Sequence, residues 1–267
     1  MMNKKVLVIG LGSMGKRRIR NLQFLGVKQI FGFDVREDRR KEVENFYGLQ
    51  TFSSFELAIE YCEFDAWIIS VPPHIHHKYM LNAIYNSVPS FVEASVLSEG
   101  LLELIELSKN KKVFIAPSFT LGFHPAIKQI SEFLSNGILG KISNIIYHSG
   151  QYLPDWHSYE KVSEFYVSNP LTGGAREIVP FELTWICSLF GFPNSVVSIN
   201  KKTIEIEGAS DIDDTYNCLM EFSDFLLNMT VDVVSRKAKR NLIINGDLGQ
   251  LEWNWDKNEI IIYKNEL

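Results

Sequence analysis

The sequence predicts an α/β chain in two parts: an N-terminal doubly wound parallel sheet with helices on both faces, then an α+β part with a largely antiparallel open sheet. Three observations predict it. From Lys4 to Pro117, short apolar runs alternate with helix-patterned stretches. Near the start, KKVLVIGLGSMGKRRIRNLQFLGVKQIFGFD (residues 4–34) sets three glycines between an apolar run and a helix. Beyond Ser118 the pattern changes to the apolar–polar alternation of half-buried strands. At 267 residues the chain is long enough for two domains, with expected bounds 1–117 and 118–267.

The first strand is Val6 to Ile9, and Gly10, Gly12 and Gly15 follow it in G-x-G-x-x-G spacing. Gly10 allows the tight turn, Gly12 leaves room for a pyrophosphate to approach the backbone, and Gly15 lets helix and strand pack closely. The helix from Lys16 to Phe24 would offer the diphosphate its unpaired N–H groups and positive dipole end. A second apolar run ends on Asp34, 19 residues beyond Gly15, where a carboxylate can accept hydrogen bonds from an adenosine ribose. The ordered set is that of a dinucleotide-binding Rossmann unit, and Gly10, Gly12, Ser13, Met14, Gly15 and Asp34 are its expected cofactor contacts. An acid at the ribose favours NAD. Arg36 could instead pair with the 2′-phosphate of NADP if its loop turned inward.

Arg36 to Tyr47 and Ser54 to Tyr61 read as the next helices, with Ser53 or Ser54 capping the second. Ala66 to Val71 is a strand stopped by Pro72 and Pro73. Its loop, Ser70, Val71 and Pro72, belongs at the carboxyl edge, where a doubly wound sheet holds its ligand. A helix from His76 to Asn86 follows. His74, His76 and His77 do not share one helical face, and no cysteine or carboxylate is spaced to complete a metal site, so none is expected. Ser90 to Val92 is a strand ending at Glu93, Glu99 to Ser108 a helix, and Val113 to Ala116 a strand. Past the boundary, Pro125 to Leu134 is a helix. Strands are expected over 141–152, 195–207, 215–222, 226–234, 241–245, 250–254 and 259–263.

Composition narrows the function. A formal charge of −5 argues against a nucleic-acid partner. The basic clusters Lys16, Arg17, Arg18, Arg20 and Arg236, Lys237, Lys239, Arg240 read as solvated faces with some phosphate contacts. Cys62, Cys187 and Cys218 are scattered, as free thiols in a reducing compartment are. No run approaches the ~18 apolar residues of a membrane span, and the glycine-broken N-terminal run reads as a strand rather than a signal peptide. The expected location is cytoplasmic.

In order, GLGSMG, Asp34, SVPP-x-x-H at Ser70 to His76, Glu93 after its strand, GFHP at Gly122 to Pro125, and Gly173–Gly174 before a helix resemble the Gfo/Idh/MocA family. This is the glucose-fructose oxidoreductase and inositol dehydrogenase group. The resemblance implies an NAD(P)-binding domain, to which His76 and Glu93 also contribute. It implies a second domain that holds a sugar, sugar-nucleotide or polyol substrate and often supports homo-oligomer contacts through its sheet. The stretch Gly150 to Tyr166 is similar to that of members associated with surface-polysaccharide sugar biosynthesis. There Trp156, Tyr159 and Tyr166 offer flat faces to sugar C–H groups, while Asp155 and His157 can bond hydroxyls.

The chain also departs from that family. The family's catalytic lysine, in a Glu-Lys-Pro motif, corresponds to Ala94, and its aspartate, histidine and further aspartate correspond to Glu177, Phe181 and Thr184. Oxidising an alcohol by hydride transfer needs a group that takes the hydroxyl proton. Ala94 and Phe181 cannot. His157 is the first candidate because imidazole titrates near working pH. Glu177 follows if its surroundings raise its pKa, then Tyr166, Tyr159 and His124. Two readings stand: an oxidoreductase with a relocated acid/base, or a non-catalytic relative that keeps the cofactor fold, binds cofactor and/or a sugar-like ligand, and works as a binding or partner subunit. A lyase or epimerase using tightly bound NAD is a third.

Overall fold

The computed structural model describes residues 3–94, 97–156, 160–164 and 166–264. The chain divides into two units, Met1–Ser118 and Phe119–Leu267.

The first unit holds six parallel strands, β1 (Lys5–Ile9), β2 (Gln29–Phe33), β3 (Gln50–Phe52), β4 (Ala66–Ile69), β5 (Ser90–Val92) and β6 (Ile115–Pro117), in the order β3-β2-β1-β4-β5-β6. Their connections are helical: α1 (Ser13–Phe24), α2 (Glu37–Tyr47), α3 (Phe55–Tyr61), α4 (His76–Tyr85) and α5 (Leu101–Lys111). Successive side chains of β1 supply two separate cores. Val6 and Val8 pack with Leu11, Ile19, Ile30 and Val43, while Leu7 and Ile9 pack with Phe33, Phe55, Trp67 and Tyr79. Burial on both faces is why β1 reads as one continuous apolar run. The strand order reverses between β1 and β4, and at such a switch point the loops leaving the two strands part to leave a crevice.

The second unit begins with α6 (Pro125–Ser135) and β7 (Ile142–Tyr152). After a series of 3-10 turns come α7 (Ala175–Phe190), β8 (Ser195–Lys201), β9 (Thr215–Glu221), β10 (Leu226–Asp232), β11 (Val234–Gly246), β12 (Gln250–Asn254) and β13 (Glu259–Tyr263). The sheet order is β13-β12-β11-β7-β10-β9-β8, and every neighbouring pair is antiparallel except β7 with β10. One face buries Ile145, Tyr147, Met220, Met229, Leu242 and Trp253 with Ile127 and Ile130 of α6 and Trp185 and Ile186 of α7. In α6 the buried Ile127 and Ile130 stand at i and i+3, and in α7 Ile178, Glu182, Trp185 and Ile186 stand at i, i+4, i+7 and i+8, one stripe of each helix, as a helix laid on a sheet requires.

The predicted fold class is observed, with local differences. β3 has no apolar run to announce it; its three residues are recruited by pairing with β2. α5 starts at Leu101 rather than Glu99, because Gly100 takes a φ of 68°, outside the helical region. β8 stops at Lys201, whereas alternation suggested Glu207. Asp214 accepts from the Thr203 and Ile204 amides at 2.8 and 2.9 Å, which draws this segment off the ladder. β11 is longer than 241–245, since the polar stretch from Val234 pairs with β7 across a bulge between Val234 and Lys239.

Candidate functional site

The glycine turn leaves β1 into the crevice. Gly10 sits at φ 90° with the Ser70 carbonyl of the next strand's loop against it, and a Cβ on Gly15 would overlap the Gly10 carbonyl oxygen. Ser13 and Met14 open α1 behind Gly12, which has no side chain to cap the helix. The first N–H groups of α1 therefore meet the crevice without a side-chain cap, the arrangement that takes an anion. Asp34, 6% exposed, ends β2. Its Oδ2 accepts from Leu11 N at 2.7 Å and its Oδ1 from Arg36 N at 2.9 Å, so the carboxylate is held at the turn by main chain. The Arg36 side chain forks onto Asp38.

Across the switch point, His76 is buried and its Nε2–H donates to the Val71 carbonyl at 2.7 Å, which pins the Ser70–Val71–Pro72 loop. Burial lowers the His76 pKa, so the ring is neutral and the carbonyl dictates the tautomer. Glu93 is clamped by Arg18, with Nε to Oε1 at 2.5 Å and Nη2 to Oε2 at 2.8 Å, and the guanidinium stacks 4.7 Å from the Phe91 ring. This clamp was not legible in sequence. The basic cluster that suggested a solvated face is in large part engaged: Arg18 holds Glu93, and Lys16 pairs with Glu42 at 2.7 Å.

In the second unit Tyr166 donates a short hydrogen bond from its hydroxyl to Glu177 Oε1, while Glu177 Oε2 is buried with no partner among the described residues. Glu177 lies in the first turn of α7, positioned by Gly174, whose positive φ is the bend that aims the helix. Burial pushes the Glu177 carboxyl up to about 7, against the pull of the Tyr166 hydrogen bond. Such a group exchanges a proton near neutrality. Trp156 Nε1 and Thr172 Oγ1 are two further buried polar atoms without a partner among the described residues.

Other candidates fall elsewhere. His157 and Tyr159 lie outside the described residues. His124 caps α6: its Nδ1 accepts from Ala126 N at 3.2 Å, and burial and the nearby Arg240 charge lower its pKa. Phe181 packs against the core, and Thr184 is exposed with its hydroxyl on the Phe181 carbonyl. Beside them sits Glu182, wholly buried, which sequence gave no reason to single out. Its oxygens accept from Tyr147 at 2.6 Å, Ser149 at 2.9 Å, Trp185 at 2.8 Å and Arg240 at 2.9 Å. Arg240 thus belongs to the interior, Arg236 stacks 3.8 Å from the Tyr152 ring, and Lys237 pairs with Asp256. In the second basic cluster Arg236 and Lys237 are exposed, as a solvated face requires, while Arg240 is partly withdrawn onto Glu182. Among the described residues no group of three His, Cys, Asp or Glu could hold a metal ion, and no helix is long and apolar enough to cross a membrane.

A parallel sheet with order 3-2-1-4-5-6, a glycine turn at the switch point and an acid ending β2 define a nucleotide-binding α/β protein of the Rossmann type. Residues 4–119 match the model of the oxidoreductase family with an NAD-binding Rossmann fold, Gfo/Idh/MocA, so the first unit is similar to that family. The chain is 28% identical over 147 residues to an uncharacterised oxidoreductase of Synechocystis sp., covering 54% of this chain and 40% of that protein. It is 27% identical over 142 residues to myo-inositol 2-dehydrogenase of Thermotoga maritima, covering 51% and 42%. The match thus spans less than half of either relative. The WlbA dehydrogenase of Bordetella pertussis, solved with NADH and UDP-GlcNAcA, shares the fold at a TM-score of 0.84 over 99% of this chain and 84% of that one, with 13% identity.

Proposed function

We propose that the protein is an NAD-dependent oxidoreductase acting on a sugar or sugar-nucleotide hydroxyl, with Glu177 as proton acceptor and Tyr166 as its hydrogen-bonded partner. The observation that carries this reading is the Glu177 carboxyl, raised to about 7 with one oxygen buried and unpaired beside a tyrosine hydroxyl. A base must stand near its working pH to accept a proton at useful rate, and this is the described carboxyl that does. The crevice fits a dinucleotide: the Gly10–Gly15 turn and the open start of α1 suit its diphosphate, Asp34 its adenosine ribose, and the pinned Ser70–Pro72 loop with Glu93 the other end. A dinucleotide held there would supply the hydride acceptor for an alcohol oxidation. Glu177 takes the hydroxyl proton as the C–O bond gains double-bond character, and Tyr166 steadies the carboxylate before that transfer. Trp156 and Tyr166 would give a sugar its flat apolar contacts, with His157 and Tyr159 in the same stretch of sequence.

A sugar nucleotide is favoured as substrate because the WlbA structure of the same fold holds one. A place in surface-polysaccharide sugar synthesis, in the cytoplasm, follows from that class. We also assign this unit a homo-oligomeric contact. On the sheet face opposite the helices, Val197, Leu219, Asn228, Ile146, Ile243, Glu252 and Ile261 stand opposite one another in a single row across all seven strands. Val197 is 67% exposed and Leu219 50%. The replacement of the family's lysine by Ala94 and its histidine by Phe181 favours the second reading, a non-catalytic relative that binds cofactor and a sugar-like ligand.

Titration with NAD⁺ or NADH must raise the melting midpoint if the crevice binds them, and no shift with either would end both readings. Nucleotide sugars are then offered with the bound cofactor while nicotinamide absorbance is followed. Turnover that Glu177→Gln lowers by about a hundredfold without weakening cofactor binding supports the first reading. Firm binding with no turnover across a broad panel supports the second.

A further inference from the structure

We propose that Arg39 is a cofactor-contacting residue that opens the adenosine end of the crevice to a 2′-phosphate, so that the protein accepts NADP(H) as well as NAD(H). This inference rests on the proposed cofactor reading and goes beyond it in assigning the residue that sets the choice. The sequence pointed to Arg36. In the structure Arg36 gives its guanidinium to Asp38 and its main-chain N–H to Asp34. Arg40 turns inward and donates from Nη1 to the main-chain carbonyls of Asp34 and Val35 at 2.8 and 3.0 Å. Arg39 stands elsewhere. Its Nη1 lies 3.8 Å from Asp34 Oδ2 and would be 3.4 Å from a Cβ on Gly12, so its guanidinium roofs the glycine turn at the step between diphosphate and ribose.

Two consequences follow from that position. A dinucleotide laid along the turn meets Arg39, because the guanidinium stands over the glycine whose missing side chain is the space a diphosphate needs. And the charge opposed to an incoming 2′-phosphate is already partly offset. Asp34 alone would repel the phosphate, but here the acid spends one oxygen on Leu11 N and the other on Arg36 N and has a guanidinium beside it. A planar fork with several N–H donors can hold a phosphate oxygen pair while the carboxylate keeps the ribose 3′-hydroxyl. With 28% of its side chain accessible, Arg39 presents its guanidinium to solvent while it stays beside Asp34.

The test measures dissociation constants of the intact protein for NAD⁺, NADP⁺, 5′-ADP and 2′,5′-ADP, in the unsubstituted chain and in Arg39→Leu, Arg39→Lys and Arg36→Leu. The unsubstituted protein is expected to bind NADP⁺ within about tenfold of NAD⁺. Arg39→Leu is expected to weaken NADP⁺ and 2′,5′-ADP by about ten- to a hundredfold more than NAD⁺ and 5′-ADP, the worth of a hydrogen bond to a charged group. Arg39→Lys should fall between. Exclusion of NADP⁺ by the unsubstituted protein overturns the proposal, as does an equal loss for both ligand pairs in Arg39→Leu, or a selective loss carried by Arg36→Leu. Failure of all four ligands to bind is a different result: it removes the cofactor reading itself.

Discussion

Replacing Glu177 by glutamine tests the proton-acceptor assignment without any substrate. Gln keeps the shape and the acceptor oxygen for Tyr166 but cannot ionise. In the native protein the carboxyl titrates at about 7, and in the unfolded chain near its ordinary 4.5. The native state therefore holds a proton that the unfolded chain releases, and stability falls as pH rises from about 4.5 to about 7. At roughly 1.4 kcal/mol per pH unit, the ionised native form carries a cost of about 3 kcal/mol above neutrality. Glu177→Gln removes that cost. Relative to the unsubstituted chain, the variant should gain about 3 kcal/mol between pH 4.5 and pH 8, or about 6–12 °C in melting midpoint for a unit of this size. Urea unfolding of both proteins at half-unit steps of pH reads it directly, and the difference cancels every other titrating group. A difference that stays flat across this range would mean that Glu177 ionises as a surface carboxyl does, and the acid/base role would go with it.

Tyr166→Phe removes the hydrogen bond that favours the ionised carboxylate, so the midpoint of the same pH-dependent difference should move above about 7; an unchanged or lower midpoint would contradict the pairing. Gly15→Ala forces a methyl into the Gly10 carbonyl and should cost the first unit more than about 2 kcal/mol and abolish NAD⁺ binding, read by urea unfolding and by titration. Glu182→Ala leaves Arg240 buried without its anion and should destabilise the second unit by about 3–5 kcal/mol. An effect under about 1 kcal/mol would show that the four hydrogen bonds to Glu182 are replaced by water.

The parallel sheet is legible because each of its parts constrains several residues at once: Gly10, Gly12, Gly15 and Asp34 all have to be where they are for the turn to form. The second unit is legible as far as alternation goes, and β12 and β13 run over the expected residues because Leu251, Trp253 and their neighbours alternate cleanly. Where tertiary contacts override local pattern, sequence misleads. KKTIEIEG alternates like a strand, yet Asp214 holds its start as a loop. The polar stretch Arg236 to Arg240 has no strand pattern, yet Lys239 and Arg240 pair with Gly150 and Ser149 of β7 beyond the bulge. The same holds for side chains. Arg18 with Glu93 and Glu182 with Arg240 are pairs separated by 75 and 58 positions, and nothing local marks either partner. The Glu177 carboxyl was identifiable by its place in the helix, whereas the hydroxyl that meets it required the fold.

The one parallel seam of the second sheet has a consequence for how the chain matures. β7 is the first strand of that sheet to leave the ribosome, and it ends at its centre, with β10 on one side and β11 on the other. Asn144 must wait for Leu226, whereas β12 and β13 close on each other through a short hairpin. Compared with such a hairpin, closing so long a loop costs about 2–3 kcal/mol more, at about 0.6 kcal/mol per doubling. During synthesis both borders of β7 stay unpaired until most of the chain has been made, so a nascent polypeptide stalled before β10 presents an open template to its neighbours.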